Sequence, residues 1–178
     1  MFDLLNSKKY QLSIIHSILN FISTSKTVML KEGTKAPNFK LKNQNGEEVT
    51  LASYSGKKLV IYFYPADNTP TCTTEACNLS DNYKALQKAG YAVIGVSPDG
   101  EKKHLNFIAK YKLPFDLLCD VDTKMAQDFH VWGEKQMFGK KYFGILRTTF
   151  IIDEKGIIER VISDVKSKEH SSQILEKV

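Results

Sequence analysis

The chain has 178 residues, 42% of them hydrophobic and 25% charged, with a formal net charge of +5. Those proportions fit one soluble globular domain with a substantial core and argue against a disordered or membrane-embedded chain. The small positive excess forms no basic run able to track phosphates, which disfavours nucleic-acid binding, and three cysteines are too few for a disulfide scaffold.

Residues 1–28 read apart from the rest. Lys8 and Lys9 precede an apolar stretch, 12–22, broken by Ser13, His16, Ser17 and Asn20. It is too short and too polar to span a bilayer, so no integral membrane segment is expected. A basic start and a weak apolar region fit a signal segment. However, Ser23-Thr24-Ser25 lacks the usual alanines of a cleavage site, and a transit peptide is disfavoured because no arginine precedes residue 147. Three readings stay open: an extension upstream of a start at Met29, a secretory or lipid-associated segment, or an interaction helix. The domain is expected over 29–178. Its location is cytoplasmic, or exported or organellar if residues 1–28 are a targeting segment.

Alternation over 39–42 and 49–51 around Asn45-Gly46 predicts a small hairpin. Residues 59–64 (LVIYFY) form a continuous apolar run, as a central strand buried on both faces requires. Pro65 ends it and a polar loop, 66–69, follows. Pro70 suits the first turn of a helix. From 72 to 89 the apolar positions Ala76, Leu79, Tyr83 and Leu86 mark one helical face, and Gly90 is a natural stop. A second buried strand is expected over 91–96, a helix over 101–111, a short strand at 117–118 and a short helix over 123–129. Strands over 148–152 and 157–162, joined through Asp153-Glu154-Lys155-Gly156, make an antiparallel hairpin. A closing helix is expected over 167–178. Parallel crossovers followed by an antiparallel pair describe an α/β fold, a mixed sheet flanked by helices in the thioredoxin-like arrangement.

The informative segment runs from Pro65 through Thr69 and Cys72 to Cys77. Cys72 falls in the first helical turn, where free N–H groups and the positive end of the macrodipole favour an anion, so its sulfur is expected as a thiolate. Arg147, at the start of a predicted strand, can supply a fixed charge with several donors. Five helical residues separate Cα atoms by roughly 8.5 Å, whereas a disulfide tolerates about 7 Å. Cys72 and Cys77 therefore cannot bond unless the first helical turns unwind.

With its Pro65-x-x-x-Thr69-x-x-Cys72 signature, the sequence resembles the peroxiredoxins, of the Q or bacterioferritin-comigratory subclass. The likeness spans 29–178 and includes 33–39 (GTKAPNF), 131–135 (VWGEK) and 144–153 (GILRTTFIID). It implies a thiol peroxidase acting on hydrogen peroxide and organic hydroperoxides, with no cofactor and no metal. Cys72 would be the peroxidatic cysteine and Cys77 the resolving one, together forming the redox-active disulfide. Pro65 would shield the sulfur, while Thr69 and Arg147 would organise the peroxide. Thioredoxin or a similar dithiol protein would be the reductant, and a monomer is the subclass expectation. Glu75 often stands at this place in the subclass, as a support for the helix start. Thr71 departs from the glycine of many members.

Ionisation of a thiol is not sufficient for such a reaction. Moving a thiol pKa from ~8.5 to ~6 raises its thiolate fraction roughly thirtyfold at neutral pH, and the lost nucleophilicity returns about tenfold of it. The site must also stabilise charge on the leaving oxygen.

Other residues are read more plainly. Cys119 has no partner in sequence and is expected in the core. His16, His104, His130 and His170 are scattered without metal-ligand spacing. Trp132, Tyr142 and Phe143 fit either core or loop packing, or the rim of a site. A thioredoxin-type reductase would need Cys-x-x-Cys at the helix start. A peroxide sensor that signals to a partner without rapid turnover is the alternative of another class.

Overall fold

The computed structural model describes residues 30–137 and 139–176; residues 1–28, read above as an extension, lie outside them. The frame is a five-stranded sheet built from β3 (Lys58–Phe63), β4 (Tyr91–Ser97), β5 (Asp116–Cys119), β8 (Thr148–Ile152) and β9 (Ile158–Ile162), ordered β5-β4-β3-β8-β9. Strands β3, β4 and β5 run parallel, and β8 and β9 join antiparallel. Two small hairpins stand apart from it: β1 (Lys40–Lys42) with β2 (Glu48–Thr50), and β6 (Trp132–Met137) with β7 (Lys140–Ile145). Among the described residues stand a 3₁₀ helix, Leu51–Tyr54, and five α-helices: α1 (Pro70–Asp81), α2 (Tyr83–Lys88), α3 (Glu101–Tyr111), α4 (Lys124–Asp128) and α5 (His170–Leu175).

Strand β3 is central, and its residues alternate between two apolar layers. Leu59, Ile61 and Phe63 pack with Ile94, Val96, Phe129, Phe150 and Ile152 on one face. Val60 and Tyr62, with Tyr64 just beyond the strand, pack with Cys72, Leu79, Leu86, Phe107, Leu117 and Ile174 on the other. The uninterrupted apolar run is what burial on both faces demands. Each large side chain so removed from water contributes about 1.5–3 kcal/mol. Gly95, paired with Tyr62, is required by close approach, because a Cβ there would stand 2.7 Å from the Tyr62 hydroxyl.

Several boundaries differ from the sequence reading. The helix expected over 72–89 breaks at Asn82, whose side-chain amide donates to the Asn78 carbonyl (2.9 Å) and competes with the helical ladder. The closing helix is the shorter α5, its expected first turn, 167–169, being a turn instead, while 177–178 lie outside the described residues. The β6–β7 hairpin was not expected. The Asn45-Gly46 turn is present, with Gly46 at φ +77° and the Asn43 carboxamide oxygen accepting the N–H groups of Asn45 and Glu47.

Candidate active site

Helix α1 follows β3 through the loop 64–69. Thr69 is its N-cap, in extended conformation (φ −76°, ψ 149°), and Pro70 opens the first turn. Cys72 follows one residue after Thr71, so helix geometry sets its sulfur near the unpaired N–H end of α1. Cys72 is buried, at 1% exposure, but its sulfur is not enclosed by apolar groups alone. Strand β8 enters antiparallel to β3 with Thr148 opposite Phe63. Arg147, one residue earlier, therefore arrives beside the end of β3, and its Nη2 donates to the Cys72 sulfur at 3.1 Å. That contact sets a fixed positive charge directly against the sulfur.

The other guanidinium nitrogen, Nη1, pairs with Glu75 Oε2. Glu75 lies one turn after Cys72 and is fully buried. Its second oxygen, Oε1, faces Nδ1 of His170 at 3.2 Å, and the His170 Nε2 meets the Thr149 hydroxyl at 2.9 Å. His170 is also fully buried, and desolvation, reinforced by the Arg147 charge, lowers its pKa to about 3. Its ring is thus neutral at ordinary pH. Cysteine, arginine, glutamate, histidine and threonine accordingly form one continuous chain from α1 through β8 to α5.

Cys77 lies one and a half turns further along α1 and is half-buried, and both thiols are free. Desolvation and the Asp81 carboxylate raise its pKa. The intact helix keeps the two cysteines beyond bonding reach. Pro65 is half-buried at the end of β3. Thr69 is half-buried, and its hydroxyl donates to the Ala66 carbonyl at 3.3 Å, so the loop holds it.

That loop has its own anchor. Asp67 accepts the Tyr64 hydroxyl at 2.7 Å and meets His104 Nδ1 at 2.8 Å, and its N–H donates to Asp99 Oδ2 at 2.7 Å. Two of the histidines read as scattered are therefore site-building: His104 holds the loop and His170 faces Glu75. Glu75, read only as a helix support, is the residue that joins Arg147 to His170. No local pattern marks either pairing, since the partners lie 37 and 95 residues apart in the chain.

Cys119 corrects the expectation of a core residue. It ends β5 half-buried and lines an open groove of about 800 Å³ with Lys40, Lys42 and Glu101. Its thiol is pushed up to about 11 by burial and by Glu101. The aromatic residues divide: Trp132 packs against the core, whereas Tyr142 and Phe143 stand exposed on β7. Among the described residues no group of three or more His, Cys, Asp and Glu could hold a metal ion, and no helix is long and apolar enough to cross a membrane.

Residues 33–161 match the family model described as AhpC/TSA. Peroxiredoxin Bcp of Bacillus subtilis is 46% identical over 144 residues, covering 81% of this chain and 92% of the relative. Peroxiredoxin Bcp of Escherichia coli K12 is 45% identical over 146 residues, covering 82% and 94%. Among solved structures, the Xanthomonas campestris bacterioferritin comigratory protein superposes with TM-score 0.75 at 36% identity, covering 82% of this chain and 95% of that one. It was solved as trapped intermediate/ligand complexes bearing on its alkyl peroxide reduction activity. A Xylella fastidiosa PrxQ mutant superposes with TM-score 0.78 at 32% identity, covering 83% and 94%.

Proposed function

The chain belongs to the AhpC/TSA family and is a thiol peroxidase of the peroxiredoxin Bcp kind that reduces peroxides, and we propose that Cys72 is its attacking sulfur and Cys77 its resolving one. One distance carries the assignment of Cys72: the 3.1 Å from its sulfur to Arg147 Nη2, at the mouth of a helix. In the first step the Cys72 thiolate attacks one peroxide oxygen. A sulfur–oxygen bond forms, the O–O bond breaks, and the departing oxygen leaves as water or alcohol after taking a proton. Arg147 stabilises charge on that departing oxygen as well as on the sulfur, which an ionised thiol alone does not achieve. Thr69 and Pro65 shape the approach from the loop side. The Cys72 sulfenic acid then meets the Cys77 thiol, the disulfide forms and water leaves.

The second step requires α1 to unwind between the two cysteines. Asn78 marks where unwinding would stop. Its Nδ2 donates to the Lys168 carbonyl and its Oδ1 accepts the Ser171 N–H, both at 2.8 Å, fastening the helix just beyond Cys77. The opened segment would present the disulfide to thioredoxin or a similar dithiol protein, which returns both thiols.

The catalytic domain is read as 29–178, acting as a monomer on the analogy of the subclass, in the cytoplasm, or exported or in an organelle if residues 1–28 are a targeting segment. A turnover assay with thioredoxin, thioredoxin reductase and NADPH tests the whole cycle. Steady NADPH loss that depends on peroxide is expected. One equivalent of loss followed by a stall would replace the peroxidase cycle with a sensor.

A further inference from the structure

Helix α5 and the turn before it grip α1 at two points. One is Asn78, beyond Cys77, held by two hydrogen bonds of 2.8 Å. The other is Glu75, which lies between the two cysteines and faces His170 at 3.2 Å. These grips differ in kind. The Asn78 bonds are well formed and can persist while the cysteines join. The Glu75 contact cannot, because closing the disulfide moves every residue between 72 and 77.

The His170 contact is also off the line of an ideal hydrogen bond. Neither His170 Nδ1 nor Glu75 Oε1 makes a well-formed hydrogen bond to any described atom, and the two face each other across 3.2 Å. The Glu75 carboxylate favours the tautomer that carries the ring proton on Nδ1. The neutral ring has one N–H. The Thr149 hydroxyl can donate to Nε2, leaving the proton on Nδ1 to face the carboxylate. Tyr62 packs edge-on against the ring with centroids 6.2 Å apart, which limits its rotation.

We propose that His170 is a positioning residue that latches Glu75, and through it Arg147, in the peroxide-reactive arrangement, so that its contact sets the balance between folded and unwound α1. This rests on the reading that Cys72 attacks and Cys77 resolves. Loosening the latch has opposite effects on the two steps. Arg147 loses a fixed partner and the peroxide step slows. The unwound form becomes easier to reach and the disulfide closes faster. A generally loosened core has no reason to move the two steps in opposite directions.

The test compares His170→Phe with His170→Asn by rapid mixing with hydrogen peroxide, acid quench and mass spectrometry of sulfenic, disulfide and sulfinic forms. Asparagine keeps an N–H near the place of Nδ1, whereas phenylalanine keeps only the ring. His170→Phe is expected to slow sulfenic acid formation and speed disulfide closure, each by roughly three- to tenfold. His170→Asn is expected to track the wild type in both steps. Phenylalanine and asparagine variants with the same rates would overturn the latch, whether both match the wild type or both depart from it.

Should His170→Phe not fold, ¹⁵N spectra of the wild-type histidine read the same point. The Nδ1–H tautomer is expected in the reduced protein and a changed His170 spectrum in the disulfide form. An unchanged spectrum removes the latch. A wild type that never forms the Cys72–Cys77 disulfide removes the underlying reading instead, and mass spectrometry separates that case from the failure of the latch alone.

Discussion

Arg147 stands 3.1 Å from the Cys72 sulfur through one guanidinium nitrogen while the other holds Glu75. The two contacts need a planar fork, which only arginine among the cationic side chains offers. Arg147→Lys keeps the charge and loses the fork. The second-order rate constant for peroxide is expected to fall by about ten- to a hundredfold, in line with the loss of one preorganised donor to developing charge. Stopped-flow competition against a reference peroxidase measures it. A value within twofold of wild type would detach Arg147 from the chemistry.

Cys77 occupies a position that α1 keeps out of reach of Cys72. Cys77→Ser should therefore form one sulfenic acid per chain, trapped by a dimedone reagent, and then stop when thioredoxin is the reductant. Undiminished multiple turnover would show that another group resolves the oxidised sulfur. In the wild type, oxidation should strip hydrogen-exchange protection from the amides of residues 73–81, whose helical acceptors lie at or before Cys77. Asn82, whose N–H donates to the Asn78 carbonyl, should stay protected, because Asn78 stays fastened to Lys168 and Ser171.

The sheet was legible in the sequence wherever a strand is buried on both faces. Residues 59–64 are a continuous apolar run, and 148–152 a β-branched and aromatic one, because both sides of β3 and β8 are covered. The β6–β7 hairpin escaped because most of β7 and two of the β6 residues 132–136 face water, leaving no period-two apolar signal. The cysteine, the arginine and the helix start were readable from local pattern and motif. The Glu75–His170 and Asp67–His104 pairs were not, because each joins residues far apart in sequence whose charges look ordinary until the fold buries them.

Asp67 ties the loop between β3 and α1 to three neighbours, Tyr64, His104 and Asp99. Its carboxylate is nearly closed to solvent, at 2% exposure. Asp67→Ala strands the Tyr64 hydroxyl and the His104 Nδ1 in a buried site, at about 1–3 kcal/mol for each unpaired group. Urea denaturation should register a loss of roughly 2–5 kcal/mol. Peroxide reactivity should drop severalfold with it, because Thr69 sits on the loosened loop. A variant as stable as wild type would show that the loop is held by other contacts.

His170 makes stability depend on pH in a defined window. Burial and the Arg147 charge lower its folded pKa to about 3 from an ordinary value of 6.5. Between these values the unfolded chain takes up a proton that the folded one refuses, so unfolding is favoured as pH falls. Above about pH 6.5 both states are neutral at this site and the effect vanishes. Within the window the contribution to the slope approaches about 1.4 kcal/mol per pH unit. His170→Asn removes the titrating group. Chemical denaturation from pH 7 to pH 4.5 should then show a shallower loss of stability than wild type, the difference growing toward acid and reaching roughly 2–3 kcal/mol at the lower end. Parallel curves for the two proteins would mean that the buried ring is not held neutral.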